Sequence, residues 1–319
     1  MSERKEAIMK APPAYPKLIA ILISAGCSTP IAGPEQFVTS TDMAQLSHQS
    51  SGFSFTTIDV PGATSTAALD ISERGDIVGQ YQDEAGPVWH GFLLKDATFT
   101  TIDFPGATAT FPFGIGARGD IVGLYEVGPF DQGGTRHGFL LHEGTFSTID
   151  FPDASHTSAV GINARGDIVG GYQNGGVVNG YLLRNGTFST ISVPGADLTV
   201  AYSINAQRDI VGYYNVAGAT HGFVLQQGTF TTIDFPGAAH TNPYGINDRG
   251  EIVGEYDLSA GGTRRGFLLK DGTFTTIEVP GATHDPNSGV MTGAFGINPR
   301  GAIVGVYFAE GSFHGFKAN

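Results

Sequence analysis

One segment of this chain occurs six times. FTTIDVPGAT at 55–64 returns as FTTIDFPGAT at 99–108, FSTIDFPDAS at 146–155, FSTISVPGAD at 188–197, FTTIDFPGAA at 230–239 and FTTIEVPGAT at 274–283. A second motif follows each copy: LDISERGDIVGQY from 69, GIGARGDIVGLY from 114, GINARGDIVGGY from 161, SINAQRDIVGYY from 203, GINDRGEIVGEY from 245 and GINPRGAIVGVY from 296. A third, of the form HGFLL, begins at 90, 137, 179, 221, 265 and 314. The Pro of the first motif recurs every 42 to 47 residues. Self-similarity at that period belongs to solenoids and propellers, in which one small unit cannot bury its apolar face alone.

Each unit reads as four short strands. The GIN segment and DIVGxY form a hairpin whose N-x-R-G-D turn places Gly where φ must be positive. HGFLL is a third strand, and a Gly-bearing turn leads into the fourth, TFTTIDF. Turn residues fall every 8–12 positions, and no helical period competes with them. Four antiparallel strands per unit is a propeller blade. The 47 Gly and 17 Pro of 319 residues fit such a turn-rich fold. The chain is 40% hydrophobic and only 15% charged, a composition that argues against disorder.

The order of motifs at the two ends predicts a closed ring. The repeats begin with a fourth strand (53–59) and stop after a third (313–317). An open array would leave both as bare edges. In a six-bladed propeller of four antiparallel strands per blade, residues 53–59 complete the last blade. The GIN strand is then innermost, with its small residues (Gly114, Gly161, Ser203, Gly245, Gly296) at the crowded axis. Phe113, Val160, Tyr202, Tyr244 and Phe295 are expected to pack between blades, and the Thr-rich fourth strand to form the solvent rim.

The remaining stretches read differently. Residues 1–17 carry Arg4, Lys5, Lys10 and Lys17, and LIAILISAG follows at 18–26, ahead of Cys27. This is the pattern of an export signal (1–27), too short to span a bilayer. The position of Cys27 resembles a bacterial lipoprotein junction, which would make it the lipidated residue. Ser24 stands where such junctions prefer Leu. Residues 28–52 read as a flexible linker and 53–319 as the propeller. With a single Cys no intrachain disulfide can form. The net charge of −13 disfavours nucleic acid as a partner.

The GIN-x-RGDIVG-x-Y and HGFLL motifs resemble those of bacterial HAF-type extracellular repeat proteins over 53–316. The resemblance implies an exported β-rich protein and supplies no catalytic residues.

Chemistry would sit on the face of variable loops, near the channel mouth. Its candidates are His156, His240 and His284 after the Pro-Gly turns, Asp197 in the neighbouring slot, and the loop aromatics Trp89 and Phe130. His90, His137, His221 and His314 face Tyr81, Tyr125, Tyr214 and Tyr307 once per blade. They read as structural, each through a His–Tyr hydrogen bond, whereas Asp59, Asp103, Asp150 and Asp234 read as caps of the following turn. The Arg-Gly-Asp triplets at 74–76, 118–120 and 165–167 read as turn residues. The expected function is a non-enzymatic binding or scaffold module at the cell surface, a monomeric propeller recognising a glycan or an envelope protein. The alternative is a hydrolase or lyase using the His and Asp residues, with or without a metal. No cofactor is expected, a divalent metal in the channel stays an open alternative, and the membrane is reached only through the lipid anchor.

Overall fold

A computed structural model describes residues 52–84, 88–128 and 133–319. Cys27, the export segment, the linker up to residue 51 and Phe130 lie outside the described residues. Among the described residues the chain forms 24 strands in six four-stranded antiparallel blades, a six-bladed β-propeller. β1 (Phe55–Ile58) comes first. Blade 1 is β2 (Ala63–Ile71), β3 (Ile77–Asp83), β4 (Trp89–Lys95) and β5 (Thr98–Ile102). Blade 2 is β6 (Ala109–Ile115), β7 (Ile121–Val127), β8 (Thr135–His142) and β9 (Thr145–Ile149). Blade 3 is β10 (His156–Ile162), β11 (Ile168–Asn174), β12 (Val177–Arg184) and β13 (Thr187–Ile191). Blade 4 is β14 (Leu198–Ile204), β15 (Ile210–Val216), β16 (Ala219–Gln226) and β17 (Thr229–Ile233). Blade 5 is β18 (His240–Ile246), β19 (Ile252–Asp257), β20 (Arg265–Lys270) and β21 (Thr273–Ile277). Blade 6 is β22 (Thr292–Ile297), β23 (Ile303–Ala309) and β24 (Ser312–Ala318), with β1 as its outer strand.

The ring closes as the motif order requires. β1 pairs with β24 from Phe55↔Ala318 to Ile58↔Gly315, and Ser54 and Asn319 exchange two backbone hydrogen bonds of 3.1 Å beyond it. β2 then packs against β22, β23 and β24, so blade 6 abuts blade 1.

The repeated glycines follow from packing. The HGF ring (Phe92, Phe139, Tyr181, Phe223, Phe267, Phe316) is fully buried in every blade. It lies under the Gly of DIVG: a Cβ on Gly254 would sit 2.1 Å from the Asn242 carbonyl and 2.7 Å from the Phe267 ring. No side chain fits there, so Gly and the aromatic are one packing unit. At the axis, a Cβ on Gly161 would lie 2.6 Å from the Tyr202 carbonyl of the next blade. The Thr residues of the fourth strand face solvent, and its closing Ile is buried.

A side-chain latch joins the inner strands. In blades 3 to 6 the Asn of this motif accepts N–H groups of its own turn through Oδ1, two in blades 3, 5 and 6, as Asn163 does from Arg165 and Asp167, and one in blade 4, from Asp209 to Asn205. Its Nδ2 donates to the same residue's carbonyl in the next blade: Asn163 to Asn205 (3.2 Å), Asn205 to Asn247 (3.3 Å), Asn247 to Asn298 (3.1 Å) and Asn298 to Ser72 (3.2 Å). Blades 1 and 2 have Ser72 and Gly116 instead. The 1–2 seam is bridged by Asp70, whose carboxylate accepts from Ile71 (2.9 Å) and from Ile115 of blade 2 (2.8 Å).

Candidate functional site

The once-per-blade polar residues are struts, with partners different from those expected. Tyr81, Tyr125, Tyr214 and Tyr307 do lie opposite His90, His137, His221 and His314 in register. The His rings stack on the Tyr rings, at 5.3 to 5.4 Å between centroids, in place of the expected hydrogen bond. Each His Nδ1 pairs with the Asp that directly follows the fourth strand: Asp103, Asp150, Asp234 and Asp59, at 2.9 to 3.0 Å. These carboxylates therefore bind across strands and are not caps of the turn that follows. The turn is closed by a Thr of the next inner strand, as where Thr157 Oγ1 accepts from Phe151 N–H at 3.0 Å. Each Tyr hydroxyl bonds a fourth-strand Thr, for example Tyr125 with Thr148 at 3.0 Å. Blade 5 replaces His and Asp by Arg265 and Glu278, paired at 2.6 Å, and blade 3 carries Asn179 and Ser192. The matched replacement of both partners was visible in the aligned repeats.

The loop candidates are spread around the ring. His156 and His240 begin the inner strands of blades 3 and 5. Each accepts through Nδ1 from a backbone N–H of the preceding blade, Arg136 at 3.3 Å and Thr220 at 3.2 Å, so both clamp a seam. Burial and the nearby Arg136 hold the His156 imidazole below its usual pKa. His284 and Asp197 are exposed on separate connections, before blades 6 and 4. Trp89 is only 5% exposed, within an apolar cluster, and presents no ring face to solvent. Among the described residues no three His, Cys, Asp or Glu side chains converge as a metal site requires.

What distinguishes one blade from another lies inside the ring, toward the variable loops. Blades 6, 1 and 2 contribute a mainly apolar arc in which Leu69, Phe111, Leu124 and Val306 are buried against Phe113 and Phe295, broken by Gln80 of blade 1, buried in the column that Glu255 occupies in blade 5, and by the buried Glu126–Arg136 pair of blade 2. Blades 4 and 5 contribute a polar arc. Aligned repeats place Tyr213 and Glu255 where blades 2 and 6 have Leu124 and Val306. Glu255 is 0% exposed; its Oε1 accepts from the Tyr244 hydroxyl (2.9 Å) and from Arg264 (3.1 Å). The Glu255 charge in turn raises the Arg264 pKa. Ring contacts run Tyr213–Tyr202–Tyr244–Phe295 at 5.8, 4.8 and 4.9 Å between centroids. Burial pushes the Tyr213 hydroxyl up to about 12 and those of Tyr202 and Tyr244 well upward, so all three stay protonated donors at neutral pH. Chemically, this arc offers hydroxyl donors, a carboxylate and ring faces, opposite an apolar wall. Glu255 and Arg264 were not singled out by sequence reading. The signal for Glu255 was a charged residue in one repeat at a column that is neutral in the other five; Arg264 shares its column with Arg136 of blade 2.

At the opposite end, within the short turns, the channel holds a cavity of about 70 Å³ lined by Asp70, Ser72 and the four latch Asn residues. Burial pushes the Asp70 carboxyl there up to about 7, against the lowering effect of its two N–H bonds.

No family model and no curated protein matches the chain. Solved structures do. A protein of unknown function from Dyadobacter fermentans is 12% identical, with a TM-score of 0.51 over 84% of this chain and 98% of that one. TolB from Acinetobacter baumannii is 12% identical, with a TM-score of 0.50 over 81% and 64%. A streptogramin B lyase is 13% identical, with a TM-score of 0.47 over 84% and 98%. At such identities the likeness extends to the propeller fold alone.

Proposed function

We propose that this protein is a non-enzymatic binding propeller of the bacterial exterior that takes a glycan at the variable-loop end of its channel. We further place it among the HAF-type repeat proteins, exported through residues 1–27 and anchored by lipid on Cys27. The observation that carries the binding reading is the division of the channel wall into an apolar aromatic arc and a tyrosine–carboxylate arc. A sugar ring has an apolar face that stacks on aromatic rings and an edge of hydroxyls that exchange hydrogen bonds with Tyr, Glu and Arg. Of the His and Asp residues on which a hydrolase would depend, His156 and His240 support this reading by clamping seams, and His284 and Asp197 by standing apart on separate connections. A glycan array probed with the soluble propeller (53–319) tests it. Saturable binding to a subset of glycans is expected, weakened about tenfold by Tyr202→Phe together with Tyr213→Phe, each hydroxyl contributing about 0.5–1.5 kcal/mol. Silence across the array, or capture of envelope protein instead of glycan, overturns it.

A further inference from the structure

The polar arc is rich in acceptors that lack donors. Glu255 Oε2, Asp257 Oδ1 and Asn215 Oδ1 are all buried without a hydrogen-bond partner. They share two columns of the repeat: Glu255 and Asp257 lie two residues apart on one face of β19, and Asn215 stands in blade 4 where Asp257 stands in blade 5. A buried acceptor left without a donor costs about 1–3 kcal/mol, so three of them on two adjacent blades need an explanation. Charge points the same way. Two buried carboxylates face one guanidinium, Arg264, whose bond is to Glu255 Oε1, and Asp257 has the His240 imidazole as its other basic neighbour. His240, opposite Asp257 in the ladder, spends Nδ1 on a backbone N–H. The Tyr213, Tyr202, Tyr244 and Phe295 rings line the same arc. Gly293 carries no side chain at a column where the other blades have Ala67, Phe111, Ser158, Val200 and Asn242; a Cβ here would lie 3.2 Å from the Phe295 ring and 3.4 Å from Glu255 Oε2.

We propose that this arc binds an ammonium-bearing group, the free amine of an amino sugar, with Glu255 and Asp257 as its acceptors and the tyrosine rings around it. An ammonium brings three donors and one positive charge, which satisfies the orphaned acceptors and balances the second carboxylate; aromatic faces attract the same cation. A neutral hydroxyl supplies one donor and no charge. The inference rests on the glycan-binding reading and narrows its ligand.

Calorimetric titration with D-glucosamine, N-acetyl-D-glucosamine and D-glucose separates the two. Glucosamine is expected to bind at least about tenfold more tightly than either neutral sugar, a charge-assisted hydrogen bond being worth about 1.5–3 kcal/mol. Asp257→Asn and Glu255→Gln should each erase that preference. Should Glu255→Gln fail to fold, Gly293→Ser serves instead: with the Phe295 ring giving by a few tenths of an ångström, its hydroxyl can donate to Glu255 Oε2 internally and abolish the amine preference. Equal affinity for the three sugars, or no binding of glucosamine, overturns the inference while glycan binding on the array stands. An array without any bound glycan overturns both.

Discussion

Blades 3 to 6 and blades 1 and 2 are built from the same repeat, yet they are joined differently. In the larger arc every seam has an Asn latch at the short-turn end of the channel, and the variable-loop end adds parallel bridges at Val178↔Leu198, Thr220↔His240 and Arg264↔Val290. The latch also reaches from blade 6 to blade 1 through Asn298 and Ser72. It stops there, because Ser72 and Gly116 have no amide to pass on. The 1–2 seam depends instead on the half-buried Asp70 carboxyl. The lesson is that near-identical blades do not make an isotropic ring: one polar side chain per blade decides how firmly neighbours are coupled.

The largest expected effect breaks the latch where it is complete. Asn247→Ala removes the acceptor for Arg249 and Glu251 N–H and the donor to Asn298. A loss of about 2–4 kcal/mol is expected in urea unfolding, since buried groups are left unsatisfied. Hydrogen exchange should accelerate most in β18 and β22, on either side of the cut seam.

Asp70 is next. Its folded-state carboxyl lies near 7, above the ordinary 3.8, so the folded protein holds a proton that the unfolded chain releases. That works against folding: stability should fall as pH rises from about 4 to about 7 and level off above, with no effect below about 4. Asp70→Ser copies blade 4, where Ser203 Oγ accepts from Ile246 N–H at 3.4 Å. It should flatten the slope and stabilise the protein at pH 8 by about 2 kcal/mol: the full shift is worth about 4, and the loss of one N–H bond takes back about 1–2. A variant with the slope unchanged would show that Asp70 is not its source.

Gly116→Asn should extend the latch. Its φ is ordinary, and a Cβ there meets only van der Waals contacts, among them the Asn163 carbonyl at 3.8 Å, the atom a latch amide would bond. About 1 kcal/mol of stabilisation is expected, a rise in Tm of about 2–4 °C. Slower exchange should appear in β6 and β10 and not in blades 4 and 5. The smallest effect concerns the turn between β4 and β5. Ala97 has φ +59 where the other 3–4 turns have Gly. Ala97→Gly should add about 0.5–1 kcal/mol by relieving the left-handed strain.

Strand order, blade number and ring closure were legible in the repeats because they depend on local patterns: an alternating run, a Gly turn, a fourth strand displaced to the start. The Tyr–His register was legible for the same reason, while the His–Asp pairing across strands was not, since Asp after a strand also serves as a turn cap. The candidate site was less legible still. His156 and His240 looked like free loop residues until the preceding blade was seen to supply their N–H partners, and Trp89 looked like a loop aromatic until the fold buried it.

By itself the sequence determined a six-unit ring, since each unit's apolar face needs two neighbours and the end motifs fit only each other. The tertiary structure alone decided how the units differ in consequence. The latch bonds span 42, 51 and 226 residues of chain, and the Glu255 site needs side chains of three blades. Such contacts depend on which blades meet across a seam or a channel, and no single repeat carries that information.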